Sequence, residues 1–237
     1  MKTVIFGDIH GRTIWKDIVE KENPERVIFL GDYVSTHEGI SEEKQIDNLL
    51  EILDFKENAF KGDVILLRGN HDMEALGYSW AECYPKFYRK EAFTKNEGEL
   101  RNRFLKNTQW VVVEKDILFS HAGVSKQWLE KVDLDTPDKI NVLAPSELFG
   151  FSPGPDNIYD SYGDSAYQPL TWIRPQRLID NAIKGYTQVV GHTGARILVE
   201  TPMNNGKSLY LCDCLGLDNP MYLILEDGKF VPTYYRN

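Results

Sequence analysis

Five short apolar runs, each ending in a small residue and then Asp, Asn or His, constrain the fold of this chain more than any other feature. Each run has the length of a buried strand, and its polar residues fall where the strand would stop. In an open parallel sheet the carboxyl ends of the strands meet along one edge, beside a crevice that holds ligands. The five segments read TVIFGDIHG from Thr3, VIFLGDYV from Val27, VILLRGNHD from Val64, DILFSHAG from Asp116 and TQVVGHTG from Thr187.

The first three runs are separated by segments with the apolar spacing of helices, which predicts a β-α-β-α-β unit. The helix after the first strand ends before Pro24, and Ser41 is the predicted N-cap of the next helix. Right-handed crossovers place the three strands in one sheet. Their carboxyl ends, and the polar residues that follow, are therefore expected at the same edge.

A hairpin and two helices are predicted around the fourth and fifth runs. Residues 110–113 and 116–119 predict a hairpin that turns at Glu114-Lys115. Thr136-Pro137 predicts the start of a short helix, and residues 178–183 predict a helix ahead of the fifth run.

The C-terminal part is predicted to be an antiparallel meander. Apolar runs at 197–199, 208–211 and 221–225 are followed by an Asp227-Gly228 turn. We expect these strands to form a second sheet packed on the first.

The length of 237 residues, with no linker, repeat or low-complexity segment, predicts a single domain over residues 1–237. Within it, residues 73–107 are a possible cap or insert, and residues 133–170 form a long connection expected on the side of the site. The aromatic residues between positions 78 and 93 fit either a cap that recognises substrate or ordinary core beneath a long connection.

Charge and apolar length exclude some classes of protein. A formal charge of −9 argues against general nucleic-acid binding, which needs a basic face, but not against a phosphorylated substrate. The apolar runs are far shorter than the roughly 20 residues that cross a bilayer, so we expect a cytoplasmic protein. Cys212 and Cys214 form a C-x-C pair that is either half of a soft-metal site or two cysteines on one face of a strand.

The polar residues after the strands are metal ligands by type. They comprise carboxylates, an amide and imidazoles without a thiolate, a set that favours Mn²⁺, Fe or Zn²⁺. Their number exceeds what one ion needs, which favours two ions about 3.5 to 4 Å apart with one bridging carboxylate. These candidate residues are Asp8, His10, Asp32, Asn70, His71, His121 and His192.

In this order, the motifs GDIHG, GDYV, RGNHD, SHAG and GHT resemble those of the calcineurin-like metallophosphoesterases. Within that superfamily they look like the phage and bacterial relatives of PPP-type serine/threonine phosphatases. The motifs extend from Gly7 to Thr193. The resemblance implies a four-layer αββα sandwich of the α/β (α+β) class, with two mixed β-sheets flanked by helices and the metal site at the strand carboxyl ends.

The resemblance also implies roles for individual residues. Many relatives outside the PPP type carry a further histidine ligand at the position of Gly194, so the first metal here is expected to be rich in water. His71 stands where the general acid of the family stands. For the metals, the resemblance implies Asp8 and His10 at the first ion, Asp32 as the bridge, and Asn70, His121 and His192 at the second.

The implied reaction is phosphomonoester hydrolysis by a hydroxide that bridges the metals, with Asp32 and His71 as catalytic residues. The segment Trp172-Ile173-Arg174 resembles a Trp-x-Arg segment that carries a phosphate-binding arginine, so Arg174 is the first candidate for substrate binding. Asn70, Arg12 and His37 are further candidates. Arg68 is a weaker candidate, with a structural role beneath its loop as the alternative.

One segment departs from the PPP pattern. After GDYV those enzymes continue with Asp-Arg-Gly, whereas this chain has Ser35-Thr36-His37-Glu38-Gly39. His37 or Glu38 could orient His71 or contact substrate, or belong to a solvated loop. The departure leaves three functions open beside phosphomonoester hydrolysis: hydrolysis of a nucleotide or dinucleoside polyphosphate, hydrolysis of a phosphodiester, and a catalytically silent scaffold.

Overall fold

The computed structural model of the chain describes residues 1–78, 83–89, 91–145 and 162–236. Eleven strands lie in these ranges: β1 Lys2–Phe6, β2 Arg26–Phe29, β3 Asp63–Leu67, β4 Thr108–Gln109, β5 Val111–Glu114, β6 Ile117–Ser120, β7 Thr187–Val190, β8 Glu200–Pro202, β9 Ser208–Leu211, β10 Met221–Glu226 and β11 Lys229–Tyr234. The α-helices there are α1 Trp15–Glu22, α2 Glu42–Asp54, α3 Asn70–Ala75, α4 Glu91–Asn107, α5 Lys126–Lys131 and α6 Pro175–Asp180. A π-helical turn, Phe55–Ala59, continues α2, and a 3₁₀ helix covers Pro137–Val142.

Two mixed sheets form the centre of the fold. The first has the strand order β11-β10-β1-β2-β3-β4, and β1 to β4 run parallel. The second has the order β5-β6-β7-β9-β8, with β6, β7 and β9 parallel. The parallel β1-β2-β3 unit and the β5-β6 hairpin confirm two of the sequence predictions.

Alternating side chains of the first sheet divide the core into layers. Val4 and Phe6 of β1 pack with the buried side chains of α1 and α2, whereas Ile5 packs with residues of the second sheet. The opposite face of the second sheet packs on Leu178 of α6. The order of layers is therefore helix, sheet, sheet, helix, which confirms the predicted αββα sandwich.

The predicted C-terminal meander is wrong. Residues 197–199 are not a strand, β9 runs parallel to β7, and β10 and β11 join the first sheet beside β1. Five consecutive residues of β10 are buried, as expected for a strand covered on both faces, and such a run does not reveal which sheet it joins. The turn at Asp227-Gly228 is present, with both residues at positive φ.

The segment 73–107 contributes both to the core and to the surface. Phe87 and Phe93 are buried in the main core, while Tyr84 and Tyr88 are largely exposed. Glu42 of α2 accepts hydrogen bonds from the backbone of Tyr88 at 2.8 Å and Arg89 at 2.9 Å. Residues 79–82, including the predicted aromatic position 80, and residues 146–161 of the predicted long connection lie outside the described residues.

The predicted starts of two helices are confirmed. Ser41 Oγ caps α2 by accepting from Lys44 N, and Thr136 precedes the 3₁₀ helix. The helix predicted over 178–183 lies three residues earlier, over Pro175–Asp180. No helix among the described residues has the length and apolarity to cross a membrane.

Candidate metal centre

The carboxyl ends of strands from both sheets converge on one cavity of about 250 Å³. The loop after β1 carries Asp8 and His10, the loop after β2 carries Asp32, and Asn70 begins α3 after β3. The loops after β6 and β7 supply His121 and His192. The structure thus brings all six predicted ligands together. Two groups have ligand atoms within 4.8 Å of one another: Asp32, His121 and His192, and Asp8, His10 and Asp32.

We call Asn70, His121 and His192 the inner half of the centre. Asn70 Oδ1 lies 2.9 Å from His121 Nε2 and 2.9 Å from His192 Nδ1. His121 Nδ1 donates to the Leu30 carbonyl at 2.8 Å, which leaves Nε2 directed at the shared centre. Asp32 Oδ2 lies 3.4 Å from the same Nε2.

Asp8 and His10 form the outer half. His10 Nδ1 lies 3.1 Å from the Val34 carbonyl, and its Nε2 lies 3.6 Å from Asp8 Oδ2. As at His121, a backbone carbonyl fixes one ring nitrogen and leaves the other for a ligand. The His10 side chain is 17 % exposed, whereas that of His121 is 0 % exposed.

Backbone amides from the opposite loops hold one oxygen of each carboxylate. His192 N donates to Asp8 Oδ1 at 2.8 Å, and His71 N donates to Asp32 Oδ1 at 2.9 Å. A Cβ added at Gly191 would lie 2.2 Å from Asp8 Oδ1, and one at Gly69 would lie 2.1 Å from Asp32 Oδ1. Only glycine allows the backbone this close. The other oxygen of each carboxylate, Oδ2, faces the histidines.

The ligand loops turn sharply at the ligands themselves. His10, Asp32 and His192 have φ values of 47°, 52° and 64°, in the left-handed region that residues with a side chain seldom adopt. Such strain persists only where the surrounding hydrogen bonds fix it.

Asp72 supplies much of that fixation, and sequence reasoning assigned it no role. Its carboxylate accepts hydrogen bonds from Asp32 N at 2.8 Å, Tyr33 N at 2.7 Å and Gly69 N at 2.8 Å. The side chain is buried, so it joins the loops after β2 and β3 from beneath. Burial and the charge of Asp32 raise the pKa of Asp72 to about 7.

The histidines and carboxylates of the centre shift one another's pKa. Burial disfavours the imidazolium of His10 and of His121, but Asp8 and Asp32 outweigh it and raise the pKa of His10 to about 9 and that of His121 to about 10. Burial would raise the pKa of Asp32, yet His121 and His71 hold it well below its usual range. Protons on two imidazoles therefore offset the buried carboxylates, as metal cations would.

His71 lies in the same cavity with its ring 5.3 Å from that of His10, centroid to centroid. Its Nδ1 is buried and has no hydrogen-bond partner among the described residues. Burial lowers the pKa of His71. Ser35 stands after GDYV where the PPP pattern has an aspartate, and its hydroxyl forms no hydrogen bond with His71.

Arg174 reaches the cavity from the start of α6. Its Nε donates to the Tyr162 carbonyl at 2.9 Å and its Nη1 to Thr193 Oγ1 at 3.0 Å, and its guanidinium lies 5.7 Å from the centre of the Trp172 ring. Trp172 in turn contacts the ring of His192. This network places a cation on the cavity wall beside the inner half.

Arg12 is held by other groups. Glu38 accepts from its Nε at 2.8 Å and contacts its Nη2 at 2.7 Å, while Nη1 donates to the Asp8 carbonyl at 3.1 Å. These bonds make Arg12 a wall of the cavity and a weaker candidate for phosphate binding than Arg174. Neither Glu38 nor His37 forms a hydrogen bond with His71, so their suggested role in orienting it is not realised.

His37 contacts the Tyr84 ring at the rim of the cavity, and Arg68 lies outside the cavity. The rings of His37 and Tyr84 are 5.0 Å apart, and both residues line the cavity. Arg68 donates to the carbonyls of Leu105 and Thr108 and covers the Trp110 ring, which confirms its structural role.

Asp213 is a cavity residue that sequence reasoning missed. It follows β9 and lines the cavity with Asp8 and His10. The run LYLCD repeats the construction of the five segments, an apolar strand that ends in a carboxylate, and this signal was available. Burial and Asp8 raise the pKa of Asp213 to about 7. The flanking Cys212 and Cys214 lie just beyond β9, buried between the sheets, which fits core cysteines and not a soft-metal site.

The donor set fits two metal ions. Carboxylate oxygens, imidazole nitrogens and one amide oxygen converge at contact distances, and a backbone carbonyl holds one ring nitrogen of His10 and of His121, so that the other nitrogen can bind a metal in place of a proton. Four acids and two arginines are among the lining residues, so added cations would balance the charge.

Comparisons with known proteins agree with this geometry. Over 137 residues the chain is 30% identical to a symmetrical bis(5'-nucleosyl)-tetraphosphatase of Aliivibrio fischeri, covering 56% of this chain and 49% of that protein, so the match spans about half the length of that relative. The crystal structure of a cold-active protein-tyrosine phosphatase of a psychrophilic Shewanella species superposes with a TM-score of 0.66 at 19% identity, covering 99% of this chain and 78% of that one. A serine/threonine phosphatase from Saccharomyces cerevisiae gives 0.58 at 15% identity, covering 100% and 80%. At these identities the two structures show a shared fold.

A family model extends the match to most of the chain. The model described as calcineurin-like phosphoesterase matches residues 1–194, a range that contains every ligand of both halves. The chain belongs to the calcineurin-like phosphoesterase family.

Proposed function

We propose that this chain is a two-metal phosphoesterase that hydrolyses phosphomonoesters, with a site of the kind found in protein serine/threonine phosphatases. One observation carries the proposal: six oxygen and nitrogen donors converge on a single cavity that Arg174 also lines. This arrangement supplies a place for cations and, beside it, a place for a phosphate group.

We assign Asp8 and His10 to the first ion, Asp32 to both ions, and the inner half to the second. The oxygen and nitrogen donors favour Mn²⁺, with Fe or Zn²⁺ as alternatives. When bound, a pair of such ions acidifies water and offsets the negative charge that develops on phosphate oxygens.

The chain's own residues would perform the remaining tasks. Arg174 binds phosphate oxygens, because its guanidinium is held at the cavity wall by Tyr162 and Thr193. His71 gives a proton to the leaving group from the same cavity. Asn70 contributes through its Oδ1 contact with the histidines, and Arg12 and His37 shape the opposite wall.

The test is hydrolysis of para-nitrophenyl phosphate by the full chain, first depleted of metal and then supplied with Mn²⁺. We expect activity that depends on the ion and falls at least about 10³-fold in Asp32→Asn. Asp47→Asn, the same substitution at an exposed position of α2, is the matched control and should retain activity. If folded Asp32→Asn hydrolysed the ester as fast as the parent, the assignment of the site would be withdrawn.

The rim of the cavity favours a second candidate, hydrolysis of a dinucleoside polyphosphate. The His37 and Tyr84 rings, 5.0 Å apart, offer a stacking surface for a base, and Tyr84 is 80% exposed. Tyr84→Ala should then weaken turnover of diadenosine tetraphosphate by about tenfold, since one stacked base contributes roughly 1–3 kcal/mol. Turnover of para-nitrophenyl phosphate should change little. Equal effects on both substrates would argue against base stacking.

A panel of phosphopeptides, nucleotides, dinucleoside polyphosphates and phosphodiesters separates the remaining readings. Binding of two ions without turnover of any of these substrates would favour a catalytically silent scaffold.

The cytoplasmic location and the single-domain organisation stay predictions.

A further inference from the structure

The carboxylate of Asp213 has no role in the site as assigned so far. The residue lines the cavity on the side of Asp8 and His10. Among the described residues, none forms a hydrogen bond or ion pair with this carboxylate. Because the residue is only partly exposed, its carboxylate has neither a hydrogen-bond partner among the described residues nor full hydration, and the positive charges of His10 and Arg12 act on it only from a distance.

Backbone contacts fix the position of Asp213 between the two sheets. Cys212 N donates to the Val190 carbonyl at 2.7 Å, and Ala195 N donates to the Asp213 carbonyl at 3.0 Å. On the other side, a Cβ added at Gly7 would lie 2.1 Å from the Cys212 carbonyl oxygen. The loop after β9 is therefore clamped against the loops after β1 and β7.

The outer half is short of donors on this side. The ligand atoms of Asp8, His10 and Asp32 lie within 4.8 Å of one another there. Asp213 is not a member of this group. A Cβ built at Gly194 would touch only Asp213 Oδ2 among the described atoms, at an ordinary 3.5 Å. The space between the His192 loop and Asp213 is therefore open to a side chain or to water.

We propose that Asp213 is an additional anionic partner of the first metal ion, acting through water from the cavity wall. This inference rests on the two-metal part of the proposed function and adds a residue to it. A carboxylate just outside the ligand group accepts hydrogen bonds from coordinated water and offsets the charge of the ion, and removal of such partners typically costs 10- to 100-fold in metal affinity. Asp213 is thus a positioning residue for the first ion.

The test measures metal binding without substrate. Metal-depleted full-length protein is titrated with Mn²⁺ by calorimetry and by the electron paramagnetic resonance signal of the free ion. Because His10 is partly exposed and lies 3.6 Å from Asp8, we expect the first ion to be the more weakly bound of the two. In Asp213→Asn its dissociation constant should rise about 10- to 100-fold, and that of the second ion should change less than about twofold. Asp218→Asn removes an exposed carboxylate from the same loop and should leave both constants unchanged.

A second variant tests the location. In the Asp213→Asn background, Gly194→His places an imidazole in the open space beside position 213. The affinity for the first ion should then be at least about tenfold higher than in Asp213→Asn alone. A folded double variant without rescue, an unchanged weaker constant in Asp213→Asn, or equal losses at both ions would each overturn the inference. Should Asp213→Asn not fold, Asp213→Glu replaces it, because it keeps the charge and displaces the carboxylate. The same selective loss is then expected.

These outcomes are independent of turnover. Wild-type protein that binds two Mn²⁺ ions but hydrolyses no ester would refute the proposed reaction and leave the role of Asp213 to be decided by the binding constants.

Discussion

The inner and outer halves of the metal centre differ in how firmly the chain holds their donors. In the inner half, Asn70 Oδ1 lies 2.9 Å from a nitrogen of each of two histidines, and His121 is fully buried. In the outer half, His10 lies 3.6 Å from Asp8 and is partly exposed. Donors that are fixed before binding lose less freedom when an ion arrives. The comparison predicts that the inner half binds its ion more tightly and that the outer ion exchanges.

The strongest way to break this comparison is to remove one histidine from each half. We expect His121→Ala to lose the tight ion and to lower kcat/KM for para-nitrophenyl phosphate at least about 10³-fold. His10→Ala should keep one tightly bound Mn²⁺ after dialysis, measured by elemental analysis. His37→Ala serves as the control for removal of a cavity imidazole. Retention of the tight ion in His121→Ala but not in His10→Ala would reverse the ranking of the halves.

The next effect concerns His71, which belongs to neither half of the centre. Its Nδ1 has no hydrogen-bond partner among the described residues. His71→Asn should reduce turnover of alkyl phosphates about 10²-fold, since alkoxides need protonation to leave. Aryl phosphates, with better leaving groups, should lose about tenfold or less. Steady-state kinetics on a matched series of esters measures this, and equal losses across the series would contradict the general-acid role.

Asp72 sharpens the comparison at the level of stability, because it supports the bridge between the halves. In the wild type, three backbone amides donate to the two oxygens of the Asp72 carboxylate. Asp72→Asn leaves only one acceptor oxygen for these three amides, so at least one buried donor would be unpaired. We expect the free energy of unfolding to fall by about 2 to 3 kcal/mol, measured by urea denaturation in EDTA. Asp47→Asn is the control, with an expected change within about 0.5 kcal/mol.

The smallest expected effect is the pH dependence of the metal-free protein. The folded-state pKa values of about 9 for His10 and about 10 for His121 lie above the ordinary value of 6.5. Their stabilising contribution is therefore complete below about pH 6.5 and is lost as the pH rises through 9 and 10. We expect the free energy of unfolding to decline between pH 7 and 10 in EDTA. With Mn²⁺ bound the imidazoles carry no proton, so the decline should disappear, and a decline that Mn²⁺ left unchanged would contradict this origin.

The sequence predicted which residues would converge at the cavity because each is marked twice, by the apolar run before it and by a flanking small residue. Residues such as Asp32 need only their strand and its direction to be placed. Asp213 follows the same kind of run, but a cysteine precedes it in place of the glycine or serine of the five motifs, so the pattern marks it less clearly.

The parts that were missed depend on contacts between distant loops. Asp72 acts through backbone amides of the loop after β2, and a sequence does not show which loop a carboxylate will face. Likewise, the burial of β10 on both faces is compatible with either sheet, so only tertiary packing determines that it pairs with β1. The pairing of Glu38 with Arg12 is also set by packing, since 26 positions separate them.

The glycines at positions 69 and 191 have a consequence for which cations the centre admits. Each presses its backbone against one oxygen of a ligand carboxylate, and an amide hydrogen occupies that same oxygen. In Asp8 and Asp32 the other oxygen, Oδ2, is therefore the one better placed to bind an ion, and chelation by both oxygens is disfavoured. Ca²⁺, which takes six to eight oxygens at longer distances and often uses chelating carboxylates, finds few of them here. Smaller ions accept single oxygens and imidazole nitrogens, so we expect these two glycines to disfavour Ca²⁺ relative to Mn²⁺ or Zn²⁺ at the centre.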